Sequence, residues 1–180
     1  EGYGTPEWQQ ARQYVSFDGE PISGTLAAAQ YLADEAEAAV ASGVAKARQA
    51  FLVLGYPGAG KSTIARAIAQ QFQAAHMVAD FAKGVIPEYE DGAGGERVHQ
   101  ESADLSGMAA GELVTRGDNI IVETLGATEK AVEGRADWLR RNGYSVALVY
   151  MDVPKAVAME RAVARFRRSR RAIPASIYDT

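Results

Sequence analysis

The stretch Gly55-Tyr56-Pro57-Gly58-Ala59-Gly60-Lys61-Ser62 decides the reading of this chain, because it fits G-x-x-x-x-G-K-[ST] at every constrained position. Its flanks agree with it. Phe51-Leu52-Val53-Leu54 before it is a short apolar run ended by glycine, and Ser62 to Phe72 after it has helical spacing. Glycines let the backbone curl so that successive N–H groups point inward at phosphate oxygens, and the helix that follows adds its positive end. Lys61 is expected to reach the β and γ phosphates and the Ser62 hydroxyl to ligate Mg²⁺, with Thr63 completing the nucleotide-binding set. The bland alternative is a glycine-rich turn between a strand and a helix, which needs neither the Lys nor the Ser.

Working outward, strands and helices alternate. His76–Ala79, Asn119–Glu123 and Tyr144–Met151 read as strands; Val98–Thr115, Thr128–Arg141 and Pro154–Arg168 read as helices. The pattern predicts an α/β protein of the P-loop NTPase fold, a parallel sheet flanked by helices with its active groups at the carboxyl ends of the strands. Upstream, Thr25 to Ala50 reads as an Ala-rich amphipathic helix that breaks near Ser42-Gly43, preceded by a loop from Pro6 to Gly24. The division expected is a loop and Ala-rich helical extension over residues 1–46 and a P-loop domain over 47–180.

Composition narrows the function classes. With 47% hydrophobic and 23% charged residues the chain is too apolar for disorder. The absence of Cys removes thiol nucleophiles, disulfides and Cys-based zinc sites, and 2 His are too few for a histidine-rich metal site. No apolar run approaches the roughly 18 to 20 residues of a membrane span, so no membrane partner is expected; with no Cys, the reducing cytoplasm of the producing or the target cell is the default compartment. The chain opens Glu1-Gly2-Tyr3-Gly4 with no Met and no basic-then-apolar leader, which reads as a processed product, a cut piece or a domain of something longer. Charge is polarised: Glu1, Glu7, Asp18, Glu20, Asp34, Glu35 and Glu37 dominate the first 46 residues, whereas Arg161, Arg165, Arg167, Arg168, Arg170 and Arg171 dominate the last thirty.

Asp80 ends the strand after the P-loop helix, where a carboxylate can take the proton of an attacking hydroxyl. The alternative is a helix N-cap or a surface acid. Asp80-Phe81-Ala82-Lys83-Gly84-Val85-Ile86-Pro87-Glu88-Tyr89 resembles the D-x-x-K-x-x-x-P-x-[YF] segment of the zeta toxin family. Val98-His99-Gln100-Glu101-Ser102, Asn119-Ile120-Ile121-Val122-Glu123-Thr124, Gly143-Tyr144, Val153-Pro154-Lys155, Arg165-Phe166 and Arg171-Ala172-Ile173-Pro174 follow in that family's order. The resemblance implies an ATP-dependent kinase that phosphorylates the amino-sugar hydroxyl of UDP-N-acetylglucosamine and acts as a toxin restrained by an antitoxin or immunity protein. Related effectors phosphorylate NAD instead.

Carried over by position, the resemblance makes Asp80 the base, with Lys61 and Ser62 holding phosphates and Mg²⁺. Glu123, with Lys83, Thr124 and Glu101, would line the acceptor site, and Arg165 and Arg171 would neutralise the transferred phosphoryl group. Planar donors that bind two phosphate oxygens at once suit that last task independently of any resemblance. Leu125 stands where the family commonly has a residue able to hydrogen bond, and the chain ends soon after Pro174, so an altered acceptor pocket is expected. Glu123 and Asp152 both end apolar strands and either is placed to orient Mg²⁺ through water; register favours Glu123. His76 reads as a core-edge residue, and His99 as structural or substrate-facing. A nucleotide-gated or nucleic-acid-binding module built on the Arg165–Arg171 cluster is the alternative of another class, but a nucleic-acid partner is disfavoured because only Phe166 and Tyr178 lie close enough to stack on bases. The acidic N-terminal helix packs on the core, inhibits in cis, or docks a separate inhibitor.

Overall fold

The computed structural model describes residues 43–78, 83, 86, 89, 98–169, 173 and 175–178. Four strands, β1 (Gln49–Leu54), β2 (Ala75–Met77), β3 (Ile120–Thr124) and β4 (Ser145–Tyr150), form one sheet in the order β2-β3-β1-β4. Every pairing is parallel: Phe51 sits opposite Ile121 and Ala147, and His76 opposite Ile121. Parallel neighbours need crossovers, and among the described residues four helices supply them or follow them: α1 (Lys61–Phe72), α2 (His99–Arg116), α3 (Glu129–Arg141) and α4 (Lys155–Ser169). A 3₁₀ turn, Ala175–Tyr178, follows α4.

Side chains alternate across the strands, so each face of the sheet gathers its own core. Ala50, Leu52 and Ile120 pack with Leu113, Val114, Ala136 and Leu139 from α2 and α3 on one face. Phe51, Val53 and Ile121 pack with Ala65 and Ala74 on the other, joined by Ile68, Ala69 and Phe72 of α1. α1 therefore lies over the face that carries Ile121 and everything in step with it. β4 closes the described sheet as its edge strand and leaves Leu148 and Tyr150 exposed.

The amino ends of the strands are tied by one amide. Asn119, 1% exposed, accepts from the N–H groups of Ala47 and Gln49 at 3.1 and 3.0 Å through Oδ1, and donates through Nδ2 to the Phe72 carbonyl at 2.9 Å. A buried polar group with all its partners holds three segments in register, here β1, β3 and the end of α1.

The element boundaries fall within one or two residues of the sequence reading, with one correction. The upstream helix does not extend to Ala50: residues 43–48 are not helical and β1 begins at Gln49. The Ala-rich composition of that segment favours helix locally, but Gln49 gains a parallel partner in Ser145 of β4, and Ala50 gains one on each side, Val146 of β4 and Ile120 of β3. The rest of the expected N-terminal helix lies outside the described residues. Among the described residues no helix is long and apolar enough to cross a membrane.

Candidate active site

β1 ends at Leu54 and the chain turns through Gly55 to Gly60 into α1, at the carboxyl edge of the sheet. Two glycines here have geometric reasons. Gly58 has φ +85, and a Cβ on it would lie 2.2 Å from the Ala158 carbonyl oxygen, because α4 passes directly against the loop. Gly60 has φ +95 and occupies the N-cap of α1, whose start no described side chain caps. The first turn of α1 thus keeps backbone donors and a positive dipole end turned toward the cradle, which is what a phosphate group needs.

Lys61 Nζ donates to the carbonyls of Gly55 at 2.7 Å and Tyr56 at 3.0 Å, so the ammonium already sits inside the loop that a phosphate would enter. Ser62, the next residue on α1, donates its hydroxyl to Glu123 Oε2 at 3.1 Å. Glu123 is the fourth residue of β3 and its side chain is 7% exposed. Its other oxygen, Oε1, lies 2.6 Å from His76 Nε2. With the carboxylate ionised it has no proton to give, so Nε2 is the donor. Both carboxylate oxygens are thereby held, one from β2 and one from α1.

His76 is half-buried on β2, an edge strand of the described sheet, as expected of a core-edge residue, and it is also a partner of the acid at the mouth of the loop. The signal lay in strand pairing. His76 is opposite Ile121, and Glu123, two residues on, points to the same face as Ile121, the face over which α1 brings Ser62.

The C-terminal turn meets the loop from the other side. Tyr178, 4% exposed, donates its hydroxyl to the Pro57 carbonyl at 2.8 Å, and its ring lies 5.7 Å from that of Tyr56. Ala158 and Ala162 of α4 pack with it. Burial raises the Tyr178 phenol above its ordinary value, and the Arg165 guanidinium partly offsets this. Arg165, half-buried on α4, therefore stands in the neighbourhood of the loop, whereas Arg167 and Arg168 are exposed. Sequence reasoning missed Tyr178 as a site residue; no motif spacing joins it to Pro57.

Of the other expected site residues, Thr124 is half-buried and paired with Leu54, so it ends its strand at the edge where the loop begins. Leu125 beside it is 37% exposed. Glu101 is half-buried in the first turn of α2, and Lys83 is 7% exposed. Asp152 is exposed, so of the two strand-end acids it is Glu123 that meets Ser62. Asp80 and Arg171 lie outside the described residues. Among the described residues no cluster of three or more His, Asp or Glu could hold a metal alone. A hydroxyl with an adjacent buried carboxylate suits magnesium, which keeps most of its waters and takes few protein ligands.

Against known proteins, the model of the zeta toxin family matches residues 34–180. The chain belongs to the zeta toxin family. A search of curated proteins finds no match. Among solved structures it is similar to one from the PezAT chromosomal toxin-antitoxin system of Streptococcus pneumoniae, with TM-score 0.71 and 21% identity over 86% of this chain and 65% of that one. AvrRxo1-ORF1:-ORF2 with ATP is similar at TM-score 0.68 and 19% identity, over 99% and 60% of the two chains. A protein of Chloroflexus aurantiacus classed as a kinase follows at TM-score 0.58 and 21% identity, over 73% and 74%. At these identities the structures establish the fold. This zeta toxin family chain spans less than two thirds of the length of the first two structures.

Proposed function

We propose that this chain is an ATP-dependent kinase of the zeta toxin type, moving the γ phosphate of ATP to a sugar hydroxyl of UDP-N-acetylglucosamine and acting as a toxin restrained by an antitoxin or immunity partner. The observation that carries the reading is the placement of Lys61 inside the loop and of Ser62 on Glu123, within a chain whose residues 34–180 match the family. The toxin-antitoxin origin of the PezAT structure supports a restraining partner, and the ATP complex of AvrRxo1-ORF1:-ORF2 supports ATP as donor.

Phosphoryl transfer requires positioning and charge stabilisation more than covalent chemistry. Incoming phosphates draw the Lys61 ammonium from the Gly55 and Tyr56 carbonyls onto their own oxygens, while the loop N–H groups and the α1 dipole hold the chain of phosphates. Ser62 and Glu123 are the residues that would hold Mg²⁺ and its water shell; when bound, the ion neutralises charge on the β and γ phosphates. Asp80 accepts the acceptor hydroxyl proton as that oxygen bonds to the γ phosphorus and the bond to the ADP oxygen breaks. Arg165 and Arg171 hold the equatorial oxygens in transit. Lys83, Thr124 and Glu101 line the acceptor side.

Leu125 favours a second reading. It offers no hydrogen bond at the edge of β3, so an acceptor read there by apolar contact or shape, such as NAD or another nucleotide, keeps the chemistry and changes the substrate. Phosphate transfer to a panel of UDP-N-acetylglucosamine, NAD and nucleosides, read by mass spectrometry with Asp80→Asn as control, separates these. A UDP-sugar product heavier by one phosphate supports the first reading, and transfer to NAD alone the second.

A further inference from the structure

We infer that His76 is a positioning residue for the metal–nucleotide centre: it locks the Glu123 carboxylate so that its second oxygen stays on Ser62. The inference rests on the kinase reading above, and it assigns a role to a side chain that belongs to no phosphate-loop motif.

The geometry behind it is specific. Glu123 is 7% exposed on its side chain, and burying a carboxylate is costly unless its oxygens find hydrogen-bond partners. Ser62 serves Oε2 at 3.1 Å, but that hydroxyl is also the group expected to face the metal, so it alone cannot fix the carboxylate. His76 serves Oε1 at 2.6 Å, the short distance of a charge-assisted bond, from a ring that is itself 13% exposed. Its backbone is held by the parallel pairing of β2 with β3, with His76 opposite Ile121 and Met77 opposite Val122. Ring and carboxylate therefore ride on neighbouring strands of one sheet, and their separation is set by the sheet.

The chemical consequence concerns division of labour. A carboxylate gripped by His76 and Ser62 is held beside the Ser62 hydroxyl, where magnesium's water shell would lie. It is poorly placed to bind a sugar hydroxyl, the role that family resemblance alone assigns to Glu123. Partners that orient a ligand-side group typically tune metal affinity or activity by roughly 10- to 100-fold. His76 should act on that scale, and through magnesium.

The test compares wild type with His76→Leu and His76→Gln. Leu fills the space without a donor, and Gln places an N–H where Nε2 stood. Affinity for ATP is measured with and without Mg²⁺, together with kcat and KM for acceptor and unfolding midpoints. The expected result is that His76→Leu loses about tenfold or more of the Mg²⁺-dependent gain in ATP affinity. Metal-free ATP affinity and acceptor KM should hold, and His76→Gln should restore most of the loss. The assignment is overturned if His76→Leu keeps the full Mg²⁺ gain, if metal-free binding falls equally, or if His76→Gln is as impaired as His76→Leu. Wild type that binds ATP without any Mg²⁺ gain, or not at all, instead overturns the kinase reading itself, and this assignment with it.

Discussion

Tyr178 holds the Pro57 carbonyl through its hydroxyl at 2.8 Å, so the last described turn of the chain braces the phosphate loop that begins more than a hundred residues earlier. The brace is buried and carries its proton: burial raises the phenol above its ordinary value of 10.0, against a smaller pull from Arg165. A phenol whose folded value is raised contributes stability that is whole below the unfolded value and is lost as pH rises through the folded one. Tyr178→Phe should cost about 1 kcal/mol at neutral pH and should lessen the alkaline loss of stability. Tyr144, raised chiefly by burial, keeps the same sign in both proteins. Chemical unfolding from pH 7 upward checks this; identical pH profiles would remove the brace.

Gly58 and Gly134 should respond oppositely to Ala. At Gly58 the φ of +85 and the Ala158 carbonyl 2.2 Å from the new Cβ leave no room, so Gly58→Ala should destabilise by about 2 kcal/mol or more and weaken ATP binding. Gly134 lies exposed within α3 with nothing within 4 Å, so Gly134→Ala should stabilise by about 0.5 to 1 kcal/mol. Thermal unfolding of both variants, with nucleotide titration of the first, checks the pair.

Asn119→Ala should be the most costly change at the amino ends of the strands. It strands the N–H groups of Ala47 and Gln49 and the Phe72 carbonyl together. A loss of about 3 kcal/mol is expected. The melting midpoint should fall by roughly 6 to 12 °C. A fall of under 2 °C would show that water replaces the amide without penalty.

Glu123→Gln is expected to act on the metal side. It keeps the shape but turns one acceptor into a donor facing either His76 or Ser62. ATP affinity measured in Mg²⁺ should drop about tenfold or more, while metal-free affinity and acceptor KM change little. A rise confined to acceptor KM would return Glu123 to the acceptor site.

Much of the fold was legible because apolar runs, glycines and helical spacing change where the elements change. The P-loop residues and Glu123 could be placed at strand ends from one sequence, since parallel strands put their carboxyl ends on one edge. The pairing of His76 with Glu123 was not legible, because it depends on which strands are neighbours. Once β2 adjoins β3 in the observed register, the diagonal pair follows. Tyr178 and the Gly58–Ala158 approach stayed hidden for a related reason: both are contacts between distant segments that meet only after α4 is laid against the loop. The helix expected to run to Ala50 failed where sheet pairing outweighed Ala propensity.

The central claim, a kinase acting on a UDP-sugar, is tested most directly by incubating the chain with ATP, Mg²⁺ and UDP-N-acetylglucosamine and weighing the products. The expected result is a UDP-sugar heavier by one phosphate, formed with loss of the ATP γ phosphate and abolished in Lys61→Ala and Asp80→Asn. An unmodified UDP-sugar, under conditions where the same protein binds ATP in a Mg²⁺-dependent way, would contradict it.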